Sequence, residues 1–586
     1  MWRYIVGLLA TVGALVLIAI GGTVALLASG PFSSKPLPQS IVLSLDLRDV
    51  PPETVSKDIW RGGLFSDKRD FVETIQLLRQ AADDPRVVGL FIDVGDEAAG
   101  LARVQELRAA IAHFRGKGKF AVGFAESLGS SAAHFADYYL AAALDQIWLQ
   151  PSGTFAVAGI AIETPFLKTG LDRLGIQIEG GKRFEYKSAP DSFRETGYTV
   201  AARENLQRLL DSLFAQFIAD VARDRRMEPG KLRVLVDTVP FDADTAHKEG
   251  LIDRIGYRAD ALEEVWRRAD KAHQLVTLSD YAADDARPKP QGEVIALVQV
   301  SGPIVSGGGP AGPLDNDATA QADDITDALD KAAKAKEVRA IVLRIDSPGG
   351  TYPAADAIAN GVARTRAAGK PVIVSMGDVA ASGGYLAAIN ADVIVAHPGT
   401  ITASIGVFGL WPVASEFLSS LGIRVERLAA GTNAGMYSTF QPPTPAQRAA
   451  VARELDHIYA AFARKVGEAR KLDNARLDAA ARGRVFSGVD AKAAGLIDEL
   501  GGLQRALEIA KAKAGIDAAA QVELKHFPGE QDRLQRLFDR LLHMSGVDEQ
   551  GPTLRAPREI REALAQLGIV ARPGNVRLPP LPPLWR

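Results

Sequence analysis

Gly250-Leu-Ile-Asp-Arg-Ile-Gly256 recurs as Gly495-Leu-Ile-Asp-Glu-Leu-Gly501, 245 residues later, and this recurrence decides how the rest of the chain is read. A similar series precedes each copy. An apolar strand opens it (Ile41-Val-Leu-Ser-Leu45, then Ile295-Ala-Leu-Val-Gln299), and a second strand ends in aspartate (Leu90-Phe-Ile-Asp93, then Leu343-Arg-Ile-Asp346). A third strand follows Gly118-Lys119 and Gly369-Lys370. Two alike scaffolds in tandem are an internal control: a chemical group present in only one of them stands out.

Strand patterns alternate with helical ones, such as Asp70 to Ala82 and Ala102 to His113. This alternation predicts an α/β fold, each repeat a mostly parallel sheet with crossover helices. A long helical pattern from Ala201 to Arg223 closes the first copy, and Pro445 to Arg470 matches it in the second. The acidic stretch from Leu278 to Gly292, with Pro288 and Pro290, reads as the linker. The expected organisation is therefore an N-terminal repeat over 41–277, a linker over 278–292, a C-terminal repeat over 293–515 and a tail over 516–586.

Tyr4 to Ala28 carries no charged residue and is long enough to cross a hydrocarbon core as one helix. It reads as a transmembrane anchor over 4–28, with a cleaved signal as the alternative, followed by a Pro-containing stalk over 29–40. Only three residues precede the segment, Arg3 among them, which leaves the N-terminus inside. In a bacterial cell the body then faces the periplasm from the inner membrane. In the tail, Leu534, Leu537, Phe538, Leu541 and Leu542 form an amphipathic helix that packs on protein, and Arg577 to Leu584 is an extended Pro-rich end.

The 586 residues are 47% hydrophobic and 24% charged, with a net charge of −3, so no basic footprint for nucleic acid exists. The absence of cysteine excludes disulfides, thiolate nucleophiles and Cys-type zinc sites. No metal-protease or nucleotide motif is present either, and Gly307-Gly-Gly-Pro310 lacks the Lys-Ser/Thr ending of a phosphate cradle. No cofactor is expected.

The chemistry lies where the copies differ. In the second, the strand ending at Asp346 runs into Ser347-Pro348-Gly349-Gly350-Thr351, whose glycines let backbone N–H groups point at a ligand. After the next strand comes Asp378-Val-Ala-Ala-Ser382-Gly383-Gly384-Tyr385, which places Ser382 where a strand gives way to a helix. Alone, Ala-Ser-Gly-Gly is better read as tight helix–strand packing; paired with Ser-Pro-Gly-Gly it reads as a nucleophile, with Gly383, Gly349 and Gly350 as oxyanion donors. Counting back from Pro151 and Pro398, the matching position in the first copy is Phe135.

Among eight histidines, His397 follows Ser382 by fifteen residues at the end of a buried strand and reads as structural. The first copy instead offers Lys187, in Tyr186-Lys187-Ser188-Ala189-Pro190, and the matching Gly431 to Phe440 contains no lysine. To act as a base, Lys187 must lose roughly three pKa units from about 10.4, or about 4 kcal/mol, which burial between repeats can supply. Ser404, in Thr400-Ile-Thr-Ala-Ser404-Ile-Gly406, is a candidate to orient the amine.

Ser-Pro-Gly-Gly, Ala-Ser-Gly-Gly-Tyr and Ala-Ser-Ile-Gly-Val, with Tyr-Lys-Ser-Ala in the preceding repeat, resemble the signal peptide peptidase A (protease IV) family in its long, membrane-anchored form. The resemblance covers Ile41 to Ala514. It implies a crotonase/Clp-like fold, a Ser–Lys dyad of Ser382 and Lys187 with Ser404 positioning the lysine, and an oligomeric bowl, expected here as a homotetramer. It also implies cleaved signal peptides and other short hydrophobic peptides as substrates. Ala403 departs from the family's frequent glycine. Two other readings of the same fold are a crotonase-type acyl-CoA enzyme and a catalytically inactive membrane scaffold.

Overall fold

The computed structural model describes residues 37–54, 69–95, 100–129, 135–270, 274–284, 286–289, 291–307 and 319–529. The expected anchor, most of the stalk, the 534–542 helix, the Pro-rich end and most of the Gly307–Pro310 run lie outside the described residues. Among the described residues, no helix is long and apolar enough to cross a membrane.

In the first repeat six parallel strands stand in the order Arg254–Ile255, Gln146–Leu149, Phe120–Ala125, Val87–Val94, Ile41–Leu47 and Leu275–Thr277. The second repeats this order with Glu499–Leu500, Val393–Ala396, Val372–Ala381, Val338–Ser347, Glu293–Ser301 and Val522–Phe527. Helices Phe71–Asp83 and Leu101–Gly116 return the chain between strands of the first sheet, and Ala322–Lys334 and Tyr352–Ala367 do so in the second. All ten residues of Val372–Ala381 are buried, as expected of a central parallel strand covered on both faces.

The Gly-Leu-Ile-Asp element locks each sheet edge in the same way. The carboxylate of Asp253 accepts the N–H of Ile147 at 2.8 Å, and that of Asp498 accepts the N–H of Ile394 at 2.8 Å. Arg225 and Arg470 grip these aspartates with two nitrogens each and also donate to the carbonyls of Gly250 and Gly495. The Tyr138 and Tyr385 hydroxyls donate to the carbonyls of Leu251 and Leu496.

Three expectations change. Leu278–Ala283 is a helix with Tyr281 fully buried, so the linker begins later than 278. Val522–Phe527 pairs with Glu293–Ser301 just as Leu275–Thr277 pairs with Ile41–Leu47, so the second repeat runs through 527. The bulges after Ile41 and Val294 set the ladders so that Asp93 is the counterpart of Arg344, two residues before Asp346.

The repeats share an interior. Val72 of the first packs in one cluster with Ile295, Val342 and Ile373 of the second. Arg344 is buried between Glu53 (2.6 Å) and Glu106 (2.9 Å) of the first repeat, and Gln105 accepts the N–H of Gly399 at 2.8 Å. Strand Gln177–Arg183 of the first repeat forms an antiparallel ladder with Val407–Val413 of the second, Arg183 lying opposite Val407.

Candidate active site

The strand Val372–Ala381 forks. Its Ile373–Ser375 part pairs with Val393–Val395, while Val379–Ala381 pairs with Ile401–Ala403. Past Ala381 the chain turns at Ser382, with φ 55° and ψ −116°, into the short helix Gly383–Ala388. A serine at positive φ costs about 1–3 kcal/mol, and it is held there by its N–H donating to the carbonyl of Ala403 at 2.7 Å. Glycine is required on either side of the turn: a Cβ on Gly384 would stand 2.7 Å from the carbonyl of Ser347, and one on Gly349 would stand 2.7 Å from the nitrogen of Gly383.

Lys187 arrives from the other repeat, four residues beyond the Gln177–Arg183 ladder, while Ser404 lies three residues ahead of the partner strand. The ladder therefore brings 187 and 404 together. Lys187 Nζ lies 3.1 Å from Ser382 Oγ, 3.0 Å from Ser404 Oγ and 3.0 Å from the Ser404 carbonyl. Lys187 is only 3% exposed, and burial alone lowers its pKa from 10.5 to about 7. A neutral amine has two N–H donors and one lone pair. Two donated bonds, one of them to the Ser404 carbonyl, and one accepted from a serine hydroxyl would serve all three oxygens. Ser382, Lys187 and Ser404 are thus brought together, and Ala403 sits at φ 68° beside them.

Residues 125–272 and 364–517 match Peptidase family S49. The chain belongs to this family. It is 32% identical to Protease 4 of Salmonella typhi over 82% of this chain and 78% of that one. It is 29% identical to Protease 4 of Haemophilus influenzae (75% and 72% covered) and to the chloroplastic serine protease SPPA of Arabidopsis thaliana (76% and 66%). This S49 chain is accordingly a serine peptidase with two S49 repeats, and the acyl-CoA and inactive-scaffold readings give way.

One expected oxyanion donor of this S49 peptidase is otherwise engaged. The N–H of Gly349 donates to Ser347 Oγ at 3.1 Å, a bond within the turn that sequence does not reveal. Gly350 and Gly383 stay together: a Cβ on Gly383 would lie 3.0 Å from the Gly350 nitrogen. His397 stands apart, buried 3.7 Å from Glu106 at the junction of the repeats. Phe135 does occupy the place of Ser382, three residues before Tyr138 as Ser382 is before Tyr385, and packs edge-on against Phe217. Two glycines passed over in the sequence touch the lysine. A Cβ on Gly406 would stand 3.1 Å from Lys187 Cδ, and one on Gly483 only 2.3 Å from the Lys187 nitrogen.

Proposed function

We propose that this peptidase works by a Ser382–Lys187 dyad within one chain. The observation that carries the reading is the 3.1 Å approach of a buried lysine amine to the Oγ of a serine held on a strained turn. Neutral Lys187 takes the Ser382 proton as Oγ bonds to the substrate's carbonyl carbon. The N–H groups of Gly383 and Gly350 receive the oxyanion. The ammonium of Lys187 then protonates the departing amine and leaves an acyl ester on Ser382. Water attacks the ester, giving its proton to Lys187; the acid product departs and the proton returns to Ser382. Ser404 holds the amine through both its hydroxyl and its carbonyl.

The substrates in this reading are cleaved signal peptides and other short hydrophobic peptides. The apolar 4–28 segment anchors the chain in a bacterial inner membrane with the body facing the periplasm. The assembly in this reading is a homotetramer; residues 160–166 and 424–430, the counterparts of the two strands that join the repeats, have no ladder partner among the described residues and are where copies would meet. Hydrolysis of a short hydrophobic peptide by Ser382→Ala and Lys187→Ala tests the dyad. Both are expected to lose activity while keeping the fold by circular dichroism, and wild-type turnover in either would sink the proposal. Lys187→Arg should be as inactive as Lys187→Ala, because arginine stays protonated.

A further inference from the structure

The turn Arg482-Gly483-Arg484 precedes Phe486-Ser487, where Ser487 caps helix Gly488–Ala493. In the first repeat Asp242 caps Ala243–Lys248 in the same way, 245 residues earlier, and the residues matching the turn are Asp237-Thr238-Val239. The fold therefore does not require Arg-Gly-Arg here. It occurs in the copy that carries Ser382, and it faces the lysine of the other.

We propose that Arg482, Gly483 and Arg484 are positioning residues that hold the Lys187 segment in register with Ser382 and Ser404. Arg482 donates to both carboxylate oxygens of Glu185, at 2.8 and 2.9 Å. Gly483, at φ +91°, lies flat under the Lys187 backbone, where a Cβ would stand 2.3 Å from its nitrogen and 2.6 Å from its Cα. Arg484 stacks over the Tyr186 ring at 3.5 Å and donates to Glu204, which also accepts the Tyr186 hydroxyl. Each of the three residues before and at the base is thus held by one residue of the turn.

The same turn holds the other side of the site. The Gly483 N–H donates to the Ile405 carbonyl at 2.8 Å, and the Ser404 N–H donates to the Arg484 carbonyl at 2.8 Å. One short segment therefore fixes both the backbone that carries Lys187 and the backbone that carries its hydroxyl partner. The charged groups around the lysine are paired with one another: Glu185 with Arg482, which also holds Asp478 at 3.1 Å, and Arg484 with Glu204. Lys187 Nζ is left with neutral partners, in keeping with a pKa lowered by burial alone. Releasing Glu185 would leave an unpaired carboxylate two positions along the chain from Lys187, on the segment that carries the amine, and an unpaired negative charge there favours the ammonium.

The proposal rests on Lys187 as the base, and its test separates the two ideas. The Arg482–Glu185 pair is a third or more exposed on both sides, so Arg482→Ala should leave the melting temperature close to wild type. The acidic limb of kcat/KM against pH should nonetheless move up by about one unit, with about tenfold less activity below the limb and unchanged KM. Adding Glu185→Gln to Arg482→Ala should bring the limb back towards wild type, as should Arg482→Lys alone. Gly483→Ala should lose more activity than either. An acidic limb that stays in place in Arg482→Ala overturns the proposal, even with Gly483→Ala unable to fold. If Lys187→Ala is inactive while that limb is unmoved, the positioning role fails and the dyad stands. If Lys187→Ala is active, the dyad itself fails.

Discussion

Lys187 is held where its charged form is disfavoured, and the sign of that effect gives two measurable consequences. With the folded pKa near 7 against 10.5 in the unfolded chain, the amine is neutral above about pH 7 and protonated below it. Peptide hydrolysis should therefore rise through pH 7 and level off above it, read from a kcat/KM profile. Between about pH 7 and 10.5 the unfolded chain binds more protons than the folded one, so this residue's contribution to stability improves as pH rises. Lys187→Met, which removes the group to be desolvated, should stabilise the fold at pH 7 by at most about 5 kcal/mol on a shift of this size, read as a higher melting temperature. That gain should shrink as pH approaches 10. A Lys187→Met protein less stable than wild type at pH 7 would contradict the buried neutral amine. In the sequence, Lys187 stands out only through its absence from the second repeat, whereas Ser382 stands out through the pairing of its Ala-Ser-Gly-Gly with Ser-Pro-Gly-Gly and the lack of both in the first. Sequence alone could not show that the Gly349 N–H is spent on Ser347, nor that Gly483 lies under the lysine, because both depend on contacts made after folding.

At the scale of elements, the Gly-Leu-Ile-Asp segment was legible because its roles are local to each repeat. Leu496 accepts from Tyr385, and Asp498 both receives the Ile394 N–H and pairs with the partly buried Arg470. Asp498→Ala would remove the strand cap and leave Arg470 without its counter-charge, for a cost of about 2 kcal/mol seen as a lower urea midpoint. Tyr385→Phe should cost less, about 1 kcal/mol, since only one hydrogen bond is lost. Asp253→Ala should act on the first repeat in the same way, through Arg225 and Ile147. Elements whose partners lie far along the chain were not legible. Val522-Glu-Leu-Lys-His-Phe527 alternates with charges, as an edge strand does, and reads as tail until it is seen beside Glu293–Ser301. The Gln177–Arg183 ladder joins residues more than two hundred apart and carries no turn signal, yet it delivers Lys187 to the serine.

At the scale of the whole molecule, the contact between the repeats would serve as the template for contact between chains in the proposed tetramer. In one chain, helix Lys168–Arg173 leads through Leu174-Gly175-Ile176 into the strand Gln177–Arg183, and the Gly175 carbonyl accepts the N–H of Phe417 at 3.2 Å. The second repeat has the same device: helix Ser415–Ser420 leads through Leu421-Gly422-Ile423 towards residues 424–430, with Gly175 and Gly422 both at positive φ. Ile176 and Ile423 donate identically, to the carbonyls of Leu171 and Leu418. Yet Ile176 is 4% exposed and Ile423 49%, because no strand pairs with 424–430 among the described residues. The counterpart of Val407–Val413 in the first repeat, residues 160–166 with Pro165 matching Pro412, is equally without a ladder partner among the described residues. Joining 424–430 of one copy to 160–166 of the next repeats the contact already made inside each chain, and a head-to-tail contact of this kind closes into a ring or runs on as a filament. The closed tetramer proposed above requires the former. Ile423→Glu should convert it to monomers by light scattering, since a charge would be buried at the position where Ile176 packs in the internal copy. The monomers should still cleave a short peptide, because Lys187 and Ser382 meet within one chain. A tetramer that persists in Ile423→Glu would rule out this edge as the seam. Inactive monomers that keep their fold would mean that the ring supplies something the single chain lacks.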